Sequence, residues 1–321
     1  MDDALRIDPT PRCGLVLAAQ EGDVAKQSAR RAEALGFDSL WVGDHVAFHV
    51  PIAEPLTTLA FAAGATERIQ LGTAVYLLAL RHPTHAAKIS ATLDRLSGGR
   101  LVLGVGLGGE FPPEWEAVGV PVRERASRVE EGVGVVRRLW TEERVAHEGR
   151  HYRFGAVTLA PKPAARRADG RPGPPPIWIG GRAPAAMRRI GRLGDGYISH
   201  MCTPETYAEN LATIAASARA AGRATPFDFG AAAFLFAFLD ERFEDAHEKA
   251  SRLLGTIYAR DFREAARKYC LLGRPEDCLE RMRAFARAGC RHFILAPLSD
   301  PEAFAERAAV ELLPSLRSIA D

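Results

Sequence analysis

The stretch Arg81–Glu110, RHPTHAAKISATLDRLSGGRLVLGVGLGGE, decides the fold. Pro83 suits a first helical turn, where its missing N–H leaves nothing unpaired. Ala86, Ile89, Ser90, Leu93 and Leu96 then recur at helical spacing and give one small-to-apolar face. Ser97-Gly98-Gly99 ends the helix, because glycine takes the left-handed conformation common at a helix C-terminus. Leu101, Val102, Leu103 and Val105 form an apolar run without alternation, as in a parallel strand covered on both faces. Gly104, Gly106, Gly108 and Gly109 let the backbone turn sharply at the strand's carboxyl end and let a bulky ligand lie against it. A helix feeding a doubly buried strand that ends in glycines is the half-unit of an α/β protein.

The same unit recurs on both sides. Cys13–Leu17 reads as the first strand, Val24–Leu35 as an amphipathic helix closed by Gly36, and Ser39–Val42 as a second strand ending at Gly43-Asp44-His45. Pro55–Ala65 is helical, Ile69–Val75 is the third strand, and Ala126–Leu139 supplies a helix after the fourth. Pro176–Ile179 is the fifth strand and runs into Gly180-Gly181 and a helix from about Pro184; Gly196–Ile198 is the sixth. Thr203-Pro204 opens the next helix as N-cap and first turn. Phe227–Phe238 contains the seventh strand, Pro275–Ala288 is a crossover helix, Phe293–Ala296 is the eighth strand, and Pro301–Ile319 closes the chain. Eight alternating units predict a (β/α)8 barrel with its active site in the loops at the strand C-termini. One domain is expected over 1–321, with excursions at 141–175 and 240–275. The first should hold a hairpin of Tyr152–Phe154 with Val157–Leu159, and the second a polar helical stretch, Phe243–Leu272.

Composition narrows the function. Of 321 residues, 47% are hydrophobic, and 42 basic against 40 acidic side chains leave a formal charge of +2, so no global field favours nucleic acid or anionic lipid. The opening Met1-Asp2-Asp3-Ala4 lacks the basic-then-apolar order of a signal peptide, and the longest apolar run, Ala231–Leu239, is too short to span a bilayer. A cytoplasmic protein acting on a small molecule is expected, with neither nucleic acid nor membrane as partner. The five cysteines show no Cys-x-x-Cys spacing and read as reduced thiols, not as a disulfide frame or zinc site.

Four local patterns bear on chemistry. Gly104-x-Gly106-x-x-Gly109 matches a dinucleotide fingerprint, which must open directly into a helix. Pro112-Pro113 argues against an immediate helix, and three strands precede the loop, so it reads instead as a surface a flat ring can approach. Asp44-His45 follows the second strand, where a carboxylate beside an imidazole can bind polar ring atoms and move a proton. An Asp cap beside a loop His explains the pair equally well. His82-x-x-His85 has no Glu between its members and no third ligand, so helix-entry packing is expected and no metal site. Gly180-Gly181-Arg182-Ala183 leads into a helix and offers backbone N–H groups and a guanidinium to an anion. An ordinary strand-to-helix turn is the competing reading, and the glycine pair favours phosphate.

Taken together, GFDSLWVGDH (36–45), RIQLGTAVY (68–76), LDRLSGGRLVLGVGLGGE (93–110), VGVPVRERASRVEEG (118–132) and PPIWIGGRAPAAMRRIGRLGDGY (175–197) resemble the luciferase-like monooxygenase family, which includes flavin- and deazaflavin-dependent oxidoreductases. The resemblance implies a (β/α)8 barrel, usually dimeric. It implies that Asp44 and His45 face the isoalloxazine-type ring and that a cis peptide between Ala74 and Val75 props the ring from behind. It further implies that Gly106, Leu107, Gly108 and Gly109 line the ring and ribityl side. Glu110 falls near a position that is acidic in some deazaflavin members. Gly180, Gly181, Arg182 and Ala183 match the phosphate-tail loop.

Departures from the family pattern discriminate between cofactors. Leu107 falls near the position of an arginine that holds the FMN phosphate in bacterial luciferase. The Asp-His pair and Gly-Gly loop look more like the branch that uses coenzyme F420. His49 stands where the sugar-phosphate dehydrogenase members carry an active-site tryptophan. The expected function is F420-dependent hydride transfer to or from a small organic substrate, with His45, Asp44 and Glu110 as catalytic candidates. An FMN-dependent monooxygenase is the alternative, and a barrel that only binds flavin is the alternative of another class. Trp115, Trp178, Met201, Tyr258 and Tyr269 are expected, with Glu110, to wall a mixed pocket. A homodimer is expected from the resemblance.

Overall fold

A computed structural model describes residues 4–318 of the chain. Eight parallel strands close into a barrel: β1 Arg12–Val16, β2 Ser39–Val42, β3 Gln70–Thr73, β4 Leu101–Val105, β5 Ile177–Gly180, β6 Gly196–His200, β7 Gly230–Leu239 and β8 His292–Pro297. Each strand pairs with the next, and β8 pairs back to β1 with Phe293 opposite Cys13. All eight lie where the sequence puts them. The helix Pro83–Leu96 ends with Gly98 and Gly99 at φ of 71° and 83°, conformations an L side chain resists.

Large residues bedded on glycines fill the barrel. Trp41 and Trp178 stack at 5.4 Å between ring centroids in its middle. A Cβ at Gly14 or Gly72 would overlap the Trp41 indole, and one at Gly196 or Gly230 would overlap Trp178. Each indole therefore takes the space that two neighbouring strands give up. Trp178, expected in the pocket wall, is instead 7% exposed within this core, and Trp115 is wholly buried.

Below the tryptophans, Trp41 Nε1–H donates to Ser39 Oγ at 2.7 Å, and Ser39 Oγ shares a hydrogen bond with His292 Nε2 at 2.7 Å. Burial, reinforced by Arg12, pushes the His292 pKa down to about 3, so this imidazole stays neutral. The amino-terminal end of the barrel is closed by the loop of residues 161–175. Asp94 accepts from the Ala164 N–H at 2.9 Å, and the Ala168 N–H donates to the Gly99 carbonyl.

Three local expectations are corrected. The hairpin pairs Val145–Glu148 with Arg153–Val157, so residues of both expected arms, Arg153, Phe154 and Val157, fall in one strand. Its register is set by Glu131 on the neighbouring helix, which accepts from His147 Nε2 and from the N–H groups of His151 and Tyr152. A short helix, Pro112–Ala117, does follow the glycine loop, because Pro112 and Pro113 occupy its first turn, where proline is favoured. The stretch 240–275 rejoins the sheet. After helices Phe243–Tyr258 and Arg263–Tyr269, the short strand Leu271–Gly273 pairs in parallel with Ala237–Leu239 of β7.

Candidate active site

At the carboxyl end of β2 the chain passes through Gly43 into Asp44 and His45. Asp44 is buried, and Arg81 grips both of its oxygens, at 2.6 and 2.8 Å. The Leu77 N–H donates to the same carboxylate at 2.8 Å. The Arg81 guanidinium also lies over the Tyr76 ring at 4.4 Å. Such a bidentate, hydrogen-bonded pair is geometrically rigid. Asp44 thus ties the loop after β2 to the segment after β3, and of the Asp-His pair only the imidazole is left to act.

That imidazole is held at one nitrogen and on one face. His45 Nδ1 stands 3.1 and 3.2 Å from the two carboxylate oxygens of Glu114, which is wholly buried. The Val46 N–H donates to the same carboxylate at 3.1 Å. The Phe48 ring stacks on the imidazole with centroids 3.8 Å apart. Glu114 was not singled out from the sequence. Its signal was the Pro-Pro-Glu run itself, read as a loop and in fact a helix start.

The peptide between Ala74 and Val75 is cis, at the position the resemblance implies. The Val75 side chain projects between β4 and β5. A Cβ at Gly106 would overlap it, and one at Gly180 would sit 3.0 Å from it. These two glycines make room for Val75, which reaches the mouth of the barrel, and not in the first place for a ligand. Open space lies instead beside Gly43, where a Cβ would have nothing nearer than the Ala74 carbonyl oxygen at 3.9 Å. Gly108 and Gly109 have φ of 58° and 105°, with Leu77 and Arg125 at their sides. Leu107 is half-buried against the core, and Glu110 is exposed.

After β5, Gly181 lets the loop lie on the next helix, since a Cβ there would overlap Ala186. The helix Pro184–Leu193 starts at Ala183 without a side-chain cap and without an acid in its first turn. The helices after β6 and β8 are capped by Thr203 and by Asp300, whose carboxylate takes the Ala303 N–H at 2.8 Å. Pro184 has no N–H, and the Ala186 and Met187 N–H groups bond the Ala183 carbonyl, so this start offers an anion the Ala185 N–H and its positive dipole end. Arg182 adds an exposed guanidinium that has no ion pair among the described residues.

The opposite wall is aromatic. His200, at the end of β6, lies edge-on to Phe234 and Phe236 at 5.7 and 5.8 Å. Burial, with Arg182 and Arg260 adding to it, pushes its pKa down to about 4. A row of rings runs from His49 through Phe111, Phe48 and Tyr258 to Phe236, with successive centroids 4.6, 5.9, 6.0 and 6.3 Å apart. The Tyr258 hydroxyl is pushed up to about 12 by burial and by Glu110. Met201 and Ala259, at φ of 50° and 51°, are the non-glycine residues of positive φ among those described, and both flank this wall. Met201 and Tyr258 thus stand in or beside this aromatic wall. Phe48, Phe236, His200 and Arg260 were not foreseen, although the alternation Phe234, Phe236, Phe238 on β7 pointed to one lined face.

Comparison with known proteins agrees with this geometry. The model of the luciferase-like monooxygenase family matches residues 9–307. The F420-dependent glucose-6-phosphate dehydrogenase of Intrasporangium calvum is 31% identical, over 90% of this chain and 93% of its own length. The enzyme of the same name from Nakamurella multipartita is also 31% identical, over 90% and 91%. Among solved structures, an F420-dependent secondary alcohol dehydrogenase in complex with an F420-acetone adduct superimposes with a TM-score of 0.82 at 22% identity, covering 96% of this chain and 99% of that one. The monooxygenase RslO1 from Streptomyces bottropensis has a TM-score of 0.77 at 28% identity, with 95% and 99% covered. With barrel order, cis peptide and matched motifs in agreement, the chain belongs to the luciferase-like monooxygenase family.

Proposed function

We propose that the chain is an F420-dependent oxidoreductase that moves a hydride between the deazaflavin and a small organic substrate. The observation that carries this reading is the pairing, across one barrel mouth, of a clamped imidazole with an uncapped helix start and a free guanidinium. A proton carrier thereby faces an anion seat, and the curated relatives at 31% identity are named as F420-dependent dehydrogenases. The residues fit such a cofactor. Arg182 and the Ala185 N–H at the positive end of the helix suit its phosphate, Val75 stands where a ring is backed, and the space beside Gly43 is open.

When bound, the deazaflavin supplies the hydride carrier. The chain supplies the rest. Gly180, Gly181, Arg182 and Ala183 hold the phosphate end, and Gly106, Leu107, Gly108 and Gly109 with Ala74 and Val75 bound the ring side. His45 Nε2 takes a proton from a substrate oxygen, or returns one, as the hydride moves. Asp44 acts by holding the loop through Arg81 and not by carrying a proton. Glu110, exposed at the rim near Tyr258, is a candidate contact to substrate. The row of rings from His49 to Phe236 excludes water and presents an apolar wall.

FMN-dependent oxygenation is the second reading. It rests on Arg125, whose guanidinium stands beside Gly109 at the fourth-strand loop, within reach of a phosphate there. Fluorescence titration of the purified chain with F420 and with FMN separates the two. Tight F420 binding with weak FMN binding is expected; the reverse overturns the cofactor, and no binding of either supports a barrel without catalysis. The chain is further proposed to be a cytoplasmic homodimer. Light scattering giving one chain mass of 34.8 kDa would contradict the dimer.

A further inference from the structure

We infer that Glu114 is a positioning residue, which fixes the tautomer and the aim of His45 so that Nε2 is the bare, proton-accepting nitrogen. This rests on the reading of His45 as the proton-handling group. Glu114 is wholly buried, and among the described residues its carboxylate has two hydrogen-bond partners, His45 Nδ1 and the Val46 N–H. A buried carboxylate short of donors is expensive. A neutral imidazole carries one N–H, and a bare Nδ1 facing carboxylate oxygens would set lone pair against lone pair. The proton therefore sits on Nδ1, which leaves Nε2 unprotonated.

The aim is fixed as well as the tautomer. Val46 follows His45 in the chain, so its N–H on Glu114 Oε2 clamps carboxylate and imidazole to one piece of backbone. Phe48, stacked at 3.8 Å, blocks rotation of the ring out of that plane. The helix Pro112–Ala117 is only six residues long, and its first turn carries Glu114 under the loop. An outer carboxylate on an imidazole sets orientation and raises basicity at the other nitrogen. Glu110, four residues earlier, is exposed and makes no such contact with His45.

The test uses the full chain with 15N-labelled histidine, without cofactor, and long-range 1H–15N NMR. The nine histidines are resolved by subtracting a His45→Ala spectrum. His45 is expected as the Nδ1–H tautomer in the wild type. In Glu114→Gln the remaining oxygen goes to the Val46 N–H, the amide NH2 turns to Nδ1, and the tautomer shifts toward Nε2–H. A wild-type His45 protonated on Nε2, or a tautomer unchanged in Glu114→Gln, overturns the inference. Kinetics give the second arm. Glu114→Gln should lower kcat on the order of 100-fold while KM and cofactor Kd hold. In a His45→Ala background the same change should cost nothing further. An equal further loss there means that Glu114 acts otherwise than through His45. If Glu114→Gln does not fold, the wild-type tautomer alone decides. If F420 fails to bind, the proposed function falls, and the NMR arm still decides Glu114.

Discussion

The two ends of this barrel handle charge in opposite ways. At the amino-terminal end the ionic groups satisfy one another. Asp195 takes Arg137 at 2.6 Å and Arg223 at 3.5 Å, Asp228 takes Arg6 and Arg171, and Asp8 takes Arg12. The buried histidine there, His292, is hydrogen-bonded through Nε2 to Ser39. At the carboxyl-terminal end, Glu110, Arg182 and Arg260 have no ion pair among the described residues, and the half-buried His200 has aromatic edges beside it and no hydrogen-bond partner among those residues. Where a chain leaves charges unpaired in a concave site, a ligand is the natural complement. One end therefore holds the fold together, and the other is kept open for chemistry.

That contrast can be broken by mutation, and the largest effect belongs to the mouth. His45→Ala should lower turnover by about 100-fold or more with F420 binding unchanged, and should lower Tm modestly because the buried Glu114 carboxylate loses a partner. Loss of F420 binding, or of the cooperative unfolding transition, alongside the lost activity would make His45 a structural residue and erase the distinction. In the core, Trp178→Ala should cost about 3–5 kcal/mol in urea unfolding, because the strands that yield glycine at 196 and 230 cannot refill the space. The surviving folded fraction should bind F420 as before; selective loss of cofactor binding with intact stability would reverse the assignment of the two regions.

A smaller effect is expected at the anion seat. Arg182→Ala should weaken F420 binding about five- to tenfold, with a shallower salt dependence than wild type. Affinity unchanged at low salt would place the phosphate elsewhere. Gly181→Asp should weaken binding more. It is the less clean test, since its Cβ overlaps Ala186 as well as bringing a like charge.

The smallest effect lies at the closed end. Burial pushes the Asp94 carboxyl up to about 6, against the N–H groups of Ala164 and Leu101. The folded protein then holds a proton on Asp94 more readily than the unfolded chain does. Acidification from above pH 6 toward pH 4 is stabilising through this group, and the gain disappears as pH rises through 6. Asp94→Asn should flatten that part of the stability profile. A wild-type profile that falls through the same window, and is unchanged in Asp94→Asn, would show that the group titrates normally.

Much of this was readable from the chain because it is written over a few adjacent residues. Proline in a first turn, glycine past a last turn and an apolar run between them fix helix and strand by backbone propensity. Eight such units leave little choice but a barrel. Asp44-His45 and Gly180–Ala183 were legible for the same reason, since each follows a strand directly and a strand's carboxyl end is the ligand side. The hairpin slipped because its register depends on Glu131, which lies outside it, and the helix at Pro112 was missed because two prolines can start a helix as readily as forbid one.

Partnership was decided by the tertiary structure. Arg81 reaches Asp44 across 37 residues, and Glu114 reaches His45 across 69. Tyr258 meets Phe48 only once β2 and the segment after β7 share one mouth. Local sequence sets which groups stand at a strand's end, but whether a carboxylate there is free or already spoken for depends on what barrel closure brings against it. Asp44 is spoken for and His45 is aimed, because closing the barrel set Arg81 beside one and Glu114 beside the other.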